Sequence, residues 1–217
     1  MSSDLKVTNI KHESSSSNNL VLGSDGTTTV SGALTASGGV KIANGGNIGS
    51  TSDTDAISIS SAGVVTKSAQ PYFNAVGMPN NVSSTEYFRF NAPASGHNVG
   101  SHFTQGTGRT VSSCSRFVVP VSGIYLFTGS ITANASTTNP QHFYSDFVFA
   151  DDNSGTGETI IARLMDIKET SQNTHVQINW SWAGYIDSGK YVKLKHESGQ
   201  DVIAGGNHTW WTGVLLG

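Results

Sequence analysis

Apolar and polar residues follow one rhythm up to about residue 68 and another beyond it. From Asn19 to Lys67 the apolar positions come in short clusters: Leu20-Val21-Leu22-Gly23, Thr27-Thr28-Thr29-Val30, Gly39-Val40-Lys41-Ile42 and Ala56-Ile57-Ser58-Ile59. Each reads as a β piece of three to five residues bounded by Gly, Asn or Asp turn formers. Ile57 and Ile59 alternate with serines and share one face. No piece carries enough apolar area to stand alone, because isolated short strands are marginal in water. Residues 1–68 are therefore expected to form a fibrous β shaft or attachment region, in which three chains around one axis bury their stripes against each other. A disordered linker is the competing reading of so polar a segment. The regular return of apolar residues favours the shaft. Glycine keeps no three-residue period and no proline precedes Pro71, which sets a collagen stalk aside.

From residue 69 to 217 the pattern is that of longer strands. Gln70 to Ala75 reads as an opening strand, and Tyr87 to Asn91 alternates with Phe88 and Phe90 on one face. His97 to Arg109 is polar and glycine-rich, with Phe103 as its large apolar anchor. Phe117-Val-Val-Pro-Val-Ser-Gly-Ile-Tyr-Leu-Phe127 is a strand entry, a Pro-x-x-Gly turn and a second strand in which Tyr125, Phe127 and Ile131 share a face. Phe143, Phe147 and Phe149 share another, and 151–157 is a turn cluster predicting a hairpin tip. Ile160, Ile161, Leu164 and Ile167 also fit helical spacing, but a strand is preferred for Thr159 to Lys168 because hairpin signals flank it. Val176, Ile178, Trp180 and Trp182 alternate with His175, Gln177, Asn179 and Ser181, giving one buried and one wet face. The chain closes on Trp211-Thr-Gly-Val-Leu-Leu216, an apolar end expected inside a sheet or a subunit interface. Many short strands with Gly and Asn turns predict an all-β sandwich or jelly roll.

The segments 117–127 and 211–216 together resemble the signature of the complement C1q-like domain, a relative of the tumour necrosis factor head. Ile186-Asp-Ser-Gly-Lys-Tyr-Val-Lys-Leu194 resembles the same family's Leu-x-x-Gly-Asp-x-Val-x-Leu hairpin, with Gly189, Val192 and Leu194 in place. Lys190 stands where the family usually has an acidic residue, which argues against a metal role at that position. The resemblance implies a ten-stranded jelly roll over 69–217 that assembles as a homotrimer. It also implies core or trimer positions for Phe117, Gly123, Tyr125, Phe127, Gly189, Trp211, Gly213, Leu215 and Leu216. Val7 to Leu22 and Asp55 to Thr66 resemble stretches of structural proteins of tailed, especially marine, bacteriophages, where they lead into fibre shafts.

Composition narrows the setting. Of 217 residues only 12% are charged and the net charge is −3, so neither a nucleic-acid footprint nor a polybasic membrane patch is expected. The single cysteine, Cys114, allows no intrachain disulfide. Neither a signal-peptide apolar run nor a membrane-spanning stretch is read, so a chain folded in a reducing cytoplasm is expected. With the phage resemblance this implies a virion protein assembled in the host cytoplasm. Sequons at Asn81, Asn134, Asn179 and Asn207 are expected to be fortuitous in a chain so rich in Asn, Ser and Thr.

Candidate chemistry is thin. Cys114 between serines reads as an inert strand-start thiol rather than a nucleophile. Histidines 12, 97, 102, 142, 175, 196 and 208 show no zinc spacing. Asp151-Asp152-Asn153 offers oxygens for calcium, yet a solvated hairpin tip is the preferred reading. Trp180, Trp182 and Trp211 are expected in the core rather than in a sugar-stacking platform, and Trp210 on the opposite face. Surface recognition is expected from loop and surface positions, namely His97, Asn98, His102, Arg109, Asp151, Asp152 and Trp210. The expected function is a non-enzymatic trimeric tail fibre or appendage, without metal or cofactor, whose head binds a host-surface glycan or protein. Its N-terminal region would hold other virion proteins, and neither nucleic acid nor membrane insertion is involved. The alternatives are an architectural head fibre, capsid decoration or tail connector, and thirdly a polysaccharide depolymerase. Deleting residues 211–217 is expected to abolish soluble trimer, read by light scattering with circular dichroism. A folded trimer from the truncated chain would refute the jelly roll.

Overall fold

The computed structural model describes residues 7–133, 142–167, 176–198 and 201–217. Asn134, Lys168 and His175 lie outside these residues, as do the side chains of His142, Phe143, Ile167, Val176 and Asn207. Strands and turns, but no helix, make up the described residues, which divide into two compact units: Met1–Gly46 with Ile59–Val64, and Asn47–Ser58 with Val65–Gly217.

In the first unit β1 (Asn9–Ile10), β2 (Leu20–Leu22) and β3 (Thr28–Val30) form an antiparallel sheet in that order, with Leu20 between Ile10 and Val30. Asp25 shapes the β2–β3 turn by accepting the Thr27 N–H at 3.0 Å and its hydroxyl at 2.7 Å, with Gly26 at φ 84°. Gly39 to Ile42, read above as a β piece, is not a strand. Gly39 instead closes a turn through its N–H to Ala36 O at 3.2 Å, Val40 stays exposed, and among the described residues no ladder receives the segment. Further on, β4 (Asn47–Ile48), β5 (Ile57–Ile59) and β6 (Val65–Thr66) make a second three-stranded sheet.

The rest is built from β7 (Tyr72–Met78), β8 (Asn98–Val99), β9 (Phe103–Thr104), β10 (Arg116–Val118) and β11 (Gly123–Ala133). These are followed by β12 (His142–Ala150), β13 (Thr159–Ile167), β14 (Val176–Ile186), β15 (Tyr191–Ser198) and β16 (Gly205–Leu215). They form two five-stranded sheets, β14-β11-β16-β7-β8 and β13-β12-β15-β10-β9. Most sequence neighbours lie in opposite sheets, so the chain crosses the sandwich repeatedly: it is an all-β jelly roll. Thr159 to Ile167 is a strand despite its helix-compatible spacing, because β12 offers it a full ladder. The polar, glycine-rich segment from His97 to Arg109 contains β8 and β9. Asn98 binds Phe103 through both its amide nitrogen (2.9 Å) and its carbonyl oxygen (3.0 Å), turning Phe103 into the core.

Between the sheets lies one layer of aromatic rings. Trp211 stands edge-on to Phe73 with ring centres 4.8 Å apart, and Phe127 and Phe147 lie 6.1 and 6.5 Å from it. Phe117 stacks on Phe73 at 5.1 Å and meets Tyr125 at 5.8 Å. Each fully buried ring of this kind contributes about 1.5–3 kcal/mol. Gly213 faces Phe73 on β7 and Phe127 on β11, and a methyl group there would collide with both rings. Gly123 is likewise buried at the start of β11. Gly189 is not a core residue: it takes φ 84° in the β14–β15 turn, with open space around it. Leu215 packs against the core, whereas Leu216 lies past the strand end and is 52% exposed. Successive residues of a strand point to opposite faces, so both leucines cannot enter one core. Gly213→Ala is expected to lower stability by about 1–3 kcal/mol in urea unfolding followed by circular dichroism. An unchanged midpoint would mean that the rings are not packed as described.

Candidate functional site

The two outer faces of the sandwich are finished differently. On the first sheet the register lines up Ala183, Leu126, Val214 and Tyr72 across four strands. Beside them Ile124 pairs with Tyr185, and these two are 48% and 63% exposed. Within the row Ala183 is exposed and Leu126, Val214 and Tyr72 are half-buried. On the second sheet the outward-facing Val148 is fully buried, because Tyr87, Val111 and Cys114 pack with it as a small satellite core.

A cleft of about 720 Å³ opens over that second face. It is lined by Thr85, Glu86, Tyr87, Arg109, Thr110 and Lys195, among others. Glu86 closes a turn with its N–H on Ser83 O (3.1 Å), and its carboxylate accepts the Ser83 N–H at 2.8 Å. Thr85 occupies the third position of this turn at φ 70°, a left-handed conformation normally given to glycine and strained for a β-branched residue. The Arg109 guanidinium pairs with Glu86 at 3.0 Å and donates to Asn81 O. The Tyr87 hydroxyl donates to both Glu158 oxygens, at 2.8 and 2.6 Å. Burial, then the hydrogen bond and charge of Glu158, hold that phenol far above its ordinary titration range. A part-exposed guanidinium, a carboxylate, threonine hydroxyls and an ammonium thus share one recess with the apolar surfaces of Tyr87 and Val111. Groups of this kind hydrogen-bond a polyhydroxylated ligand.

The expected recognition residues are not gathered into one site. Arg109 alone belongs to the cleft. His97 lies beside Tyr72, with ring centres 6.3 Å apart. The Asn98 side chain is spent on Phe103. His102 lines a separate apolar recess with Pro71, Pro120, Val121 and Leu216, and burial lowers its pKa. At the β12–β13 tip Asp151 pairs with Lys190. Asp152 accepts the Thr156 hydroxyl (2.7 Å), the Ser154 hydroxyl (2.7 Å) and the Thr156 N–H (3.0 Å), bonds that hold its carboxyl well below the usual range. Among the described residues no three His, Cys, Asp or Glu side chains converge as a metal site. Trp210 is half-buried on the outer face of the first sheet, opposite Ser130 and Val76. Thr85, Glu86, Tyr87, Thr110 and Lys195 were not singled out from sequence, and only the folded turn reveals the Thr85 strain.

No protein-family model matches the sequence, and no curated protein matches it. Among solved structures, Eiger TNF from S. frugiperda is similar at 13% identity, over 68% of this chain and 94% of that one, with a TM-score of 0.52. Murine APRIL at pH 5.0 has a TM-score of 0.49 at 13% identity, covering 68% and 99% of the two chains. The globular domain of zebrafish complement 1qA protein has 0.47 at 12% identity, covering 68% and 98%. The Eiger likeness shows the shared fold, a tumour-necrosis-factor-like jelly roll.

Beneath the cleft Cys114 is buried, its thiol donating to Val111 O at 3.3 Å, and burial pushes its pKa up to about 11. At about pH 8 only roughly one molecule in a thousand then carries the nucleophilic thiolate. Native protein is expected to be inert to a thiol-specific disulfide reagent and to react at one thiol per chain in guanidinium chloride. Fast reaction of the native thiol would reopen a catalytic reading.

Proposed function

We propose that this chain is a homotrimeric structural protein of a tailed-phage virion, a tail fibre or similar appendage whose head binds a host-surface glycan. The observation that carries the reading is the apolar outer face of the first sheet, where the part-exposed row Ala183, Leu126, Val214 and Tyr72 lies beside the exposed pair Ile124 and Tyr185. Exposed contiguous apolar surface of this kind marks a protein interface. Three copies joined through that face would carry the cleft on the opposite face of each sandwich, leaving three sites open to one cell surface. Weak saccharide contacts at each cleft then add through avidity. The glycine-punctuated N-terminal pieces serve as shaft or virion attachment. The cleft binds rather than cleaves.

Light scattering is expected to give three times the chain mass, and Leu126→Asp is expected to give monomer with an unchanged circular dichroism spectrum. Arg109→Ala is expected to keep the trimer and lose about 10-fold or more in binding to cells of the phage's host and to their isolated polysaccharide, the loss growing with valency. Thr85→Gly is expected to gain about 1 kcal/mol of stability while weakening the same binding. A monomeric parent would sink the assembly. Parental binding by Arg109→Ala would sink the cleft, and binding only to other particle proteins would mark the chain as architectural instead.

A further inference from the structure

Lys193 lies on the outward face of β15, between Val192 and Leu194, which point into the core, yet it is fully buried. Its amine ends in a cage of backbone carbonyls. Nζ lies 3.0 Å from Val111 O, 3.0 Å from Asn153 O and 3.5 Å from Asp152 O. Val111 belongs to the segment that walls the cleft, while Asp152 and Asn153 form the β12–β13 tip. The same two segments are tied again by the Asn153 amide, which donates to Ser112 O at 2.8 Å. Asn153 Oδ1 is buried without a hydrogen-bond partner among the described residues, so acceptors are in excess here.

We infer that this carbonyl cage is a cation site filled in cis by the Lys193 ammonium, which locks the cleft wall to the hairpin tip without any metal ion. Three acceptors ask for three donors. A neutral amine has two N–H groups, and an ammonium has three. The spacing suits nitrogen, because calcium draws its oxygen ligands in to about 2.3–2.6 Å. The carboxylates that a calcium ion would need at this tip are already committed, Asp151 to Lys190 and Asp152 to Ser154 and Thr156. Desolvation lowers the Lys193 pKa, while the neighbouring Glu158 and Asp152 favour its charged form. Lys193 is a positioning residue, and its assignment stands whether or not the cleft binds a glycan.

Chemical rescue in the full-length chain provides the test, read by amide hydrogen exchange. Lys193→Met keeps the apolar stem without the charge. It is expected to speed exchange by about 10-fold or more in residues 105–113 and 151–157, and not in β11 or β16. Lys193→Ala is expected to behave alike, and n-propylammonium chloride, which replaces the missing atoms, is expected to restore protection where n-propanol does not. Neither EDTA nor calcium chloride is expected to alter protection of the parent. Parental protection in Lys193→Met, or a calcium-dependent gain in the parent, would overturn the inference. So would equal behaviour of Lys193→Ala in amine and alcohol, including failure to fold in both.

Discussion

Everything else in the head depends on the contact of Trp211 and Gly213 with the rings above and beside them. β16 lies between β11 and β7, so its inward residues meet Phe127 on one side and Phe73 on the other. Trp211 fills the layer and Gly213 leaves the gap that lets two phenylalanine rings close over the strand. That alternation fixes the register of the first sheet. A slip of one residue would exchange Trp211 with Trp210 and turn the whole inward set outward. Because the register is fixed, the outward positions are fixed too. Val214 falls beside Leu126 and Tyr72, and an apolar row follows from the same pairing that builds the core.

The two outer faces divide the work. One sheet leaves its apolar row part-exposed, and the other carries segments that fold across it and bring their own small core of Tyr87, Cys114 and Val148. A face covered by the chain's own loops is unsuited to a close-packed subunit contact but suited to carrying a cleft. A part-exposed apolar face has the opposite aptitude. The proposed assembly through the first sheet and recognition over the second use this asymmetry. The candidate site is then built from connecting segments on a rigid scaffold, as binding sites commonly are.

The jelly roll was legible because strands buried on one face write their period of two into the sequence. Tyr125, Phe127 and Ile131 alternate as read, and all are fully buried. The Pro120-Val-Ser-Gly123 turn and the apolar end at 211–215 could be placed for the same reason. The pattern misleads where burial comes from elsewhere. On β15 it puts Lys193 on the wet face with Lys195 and Glu197, whereas distant segments around Val111 and Asn153 cover it. Gly39 to Ile42 has β composition but, among the described residues, no neighbour to pair with, and composition supplies no partner. The cleft joins Glu86 to Arg109 across residues that sequence spacing does not relate. Thr85 was invisible because left-handed backbone at a threonine contradicts local preference.

Thr85 and Lys193 share a thermodynamic character that separates them from the core. Thr85 stores roughly 1–3 kcal/mol of backbone strain. Lys193 has its pKa lowered by desolvation, so the folded state holds its proton less firmly than the unfolded chain does. For a base this sign means that its charged form costs stability at neutral pH, a cost relieved as pH rises through the folded pKa. Neither residue is therefore explained by stability. A buried charge replaced by a well-packed apolar residue often leaves a protein as stable or more so, and what the charge supplies is position. Both residues act on the segments over the second sheet, one in the turn at Glu86 and the other at Val111 and Asn153. The core is arranged for stability, and the cleft region gives some of it up for a defined geometry, the pattern expected of a surface that must fit a ligand rather than merely cover a sheet.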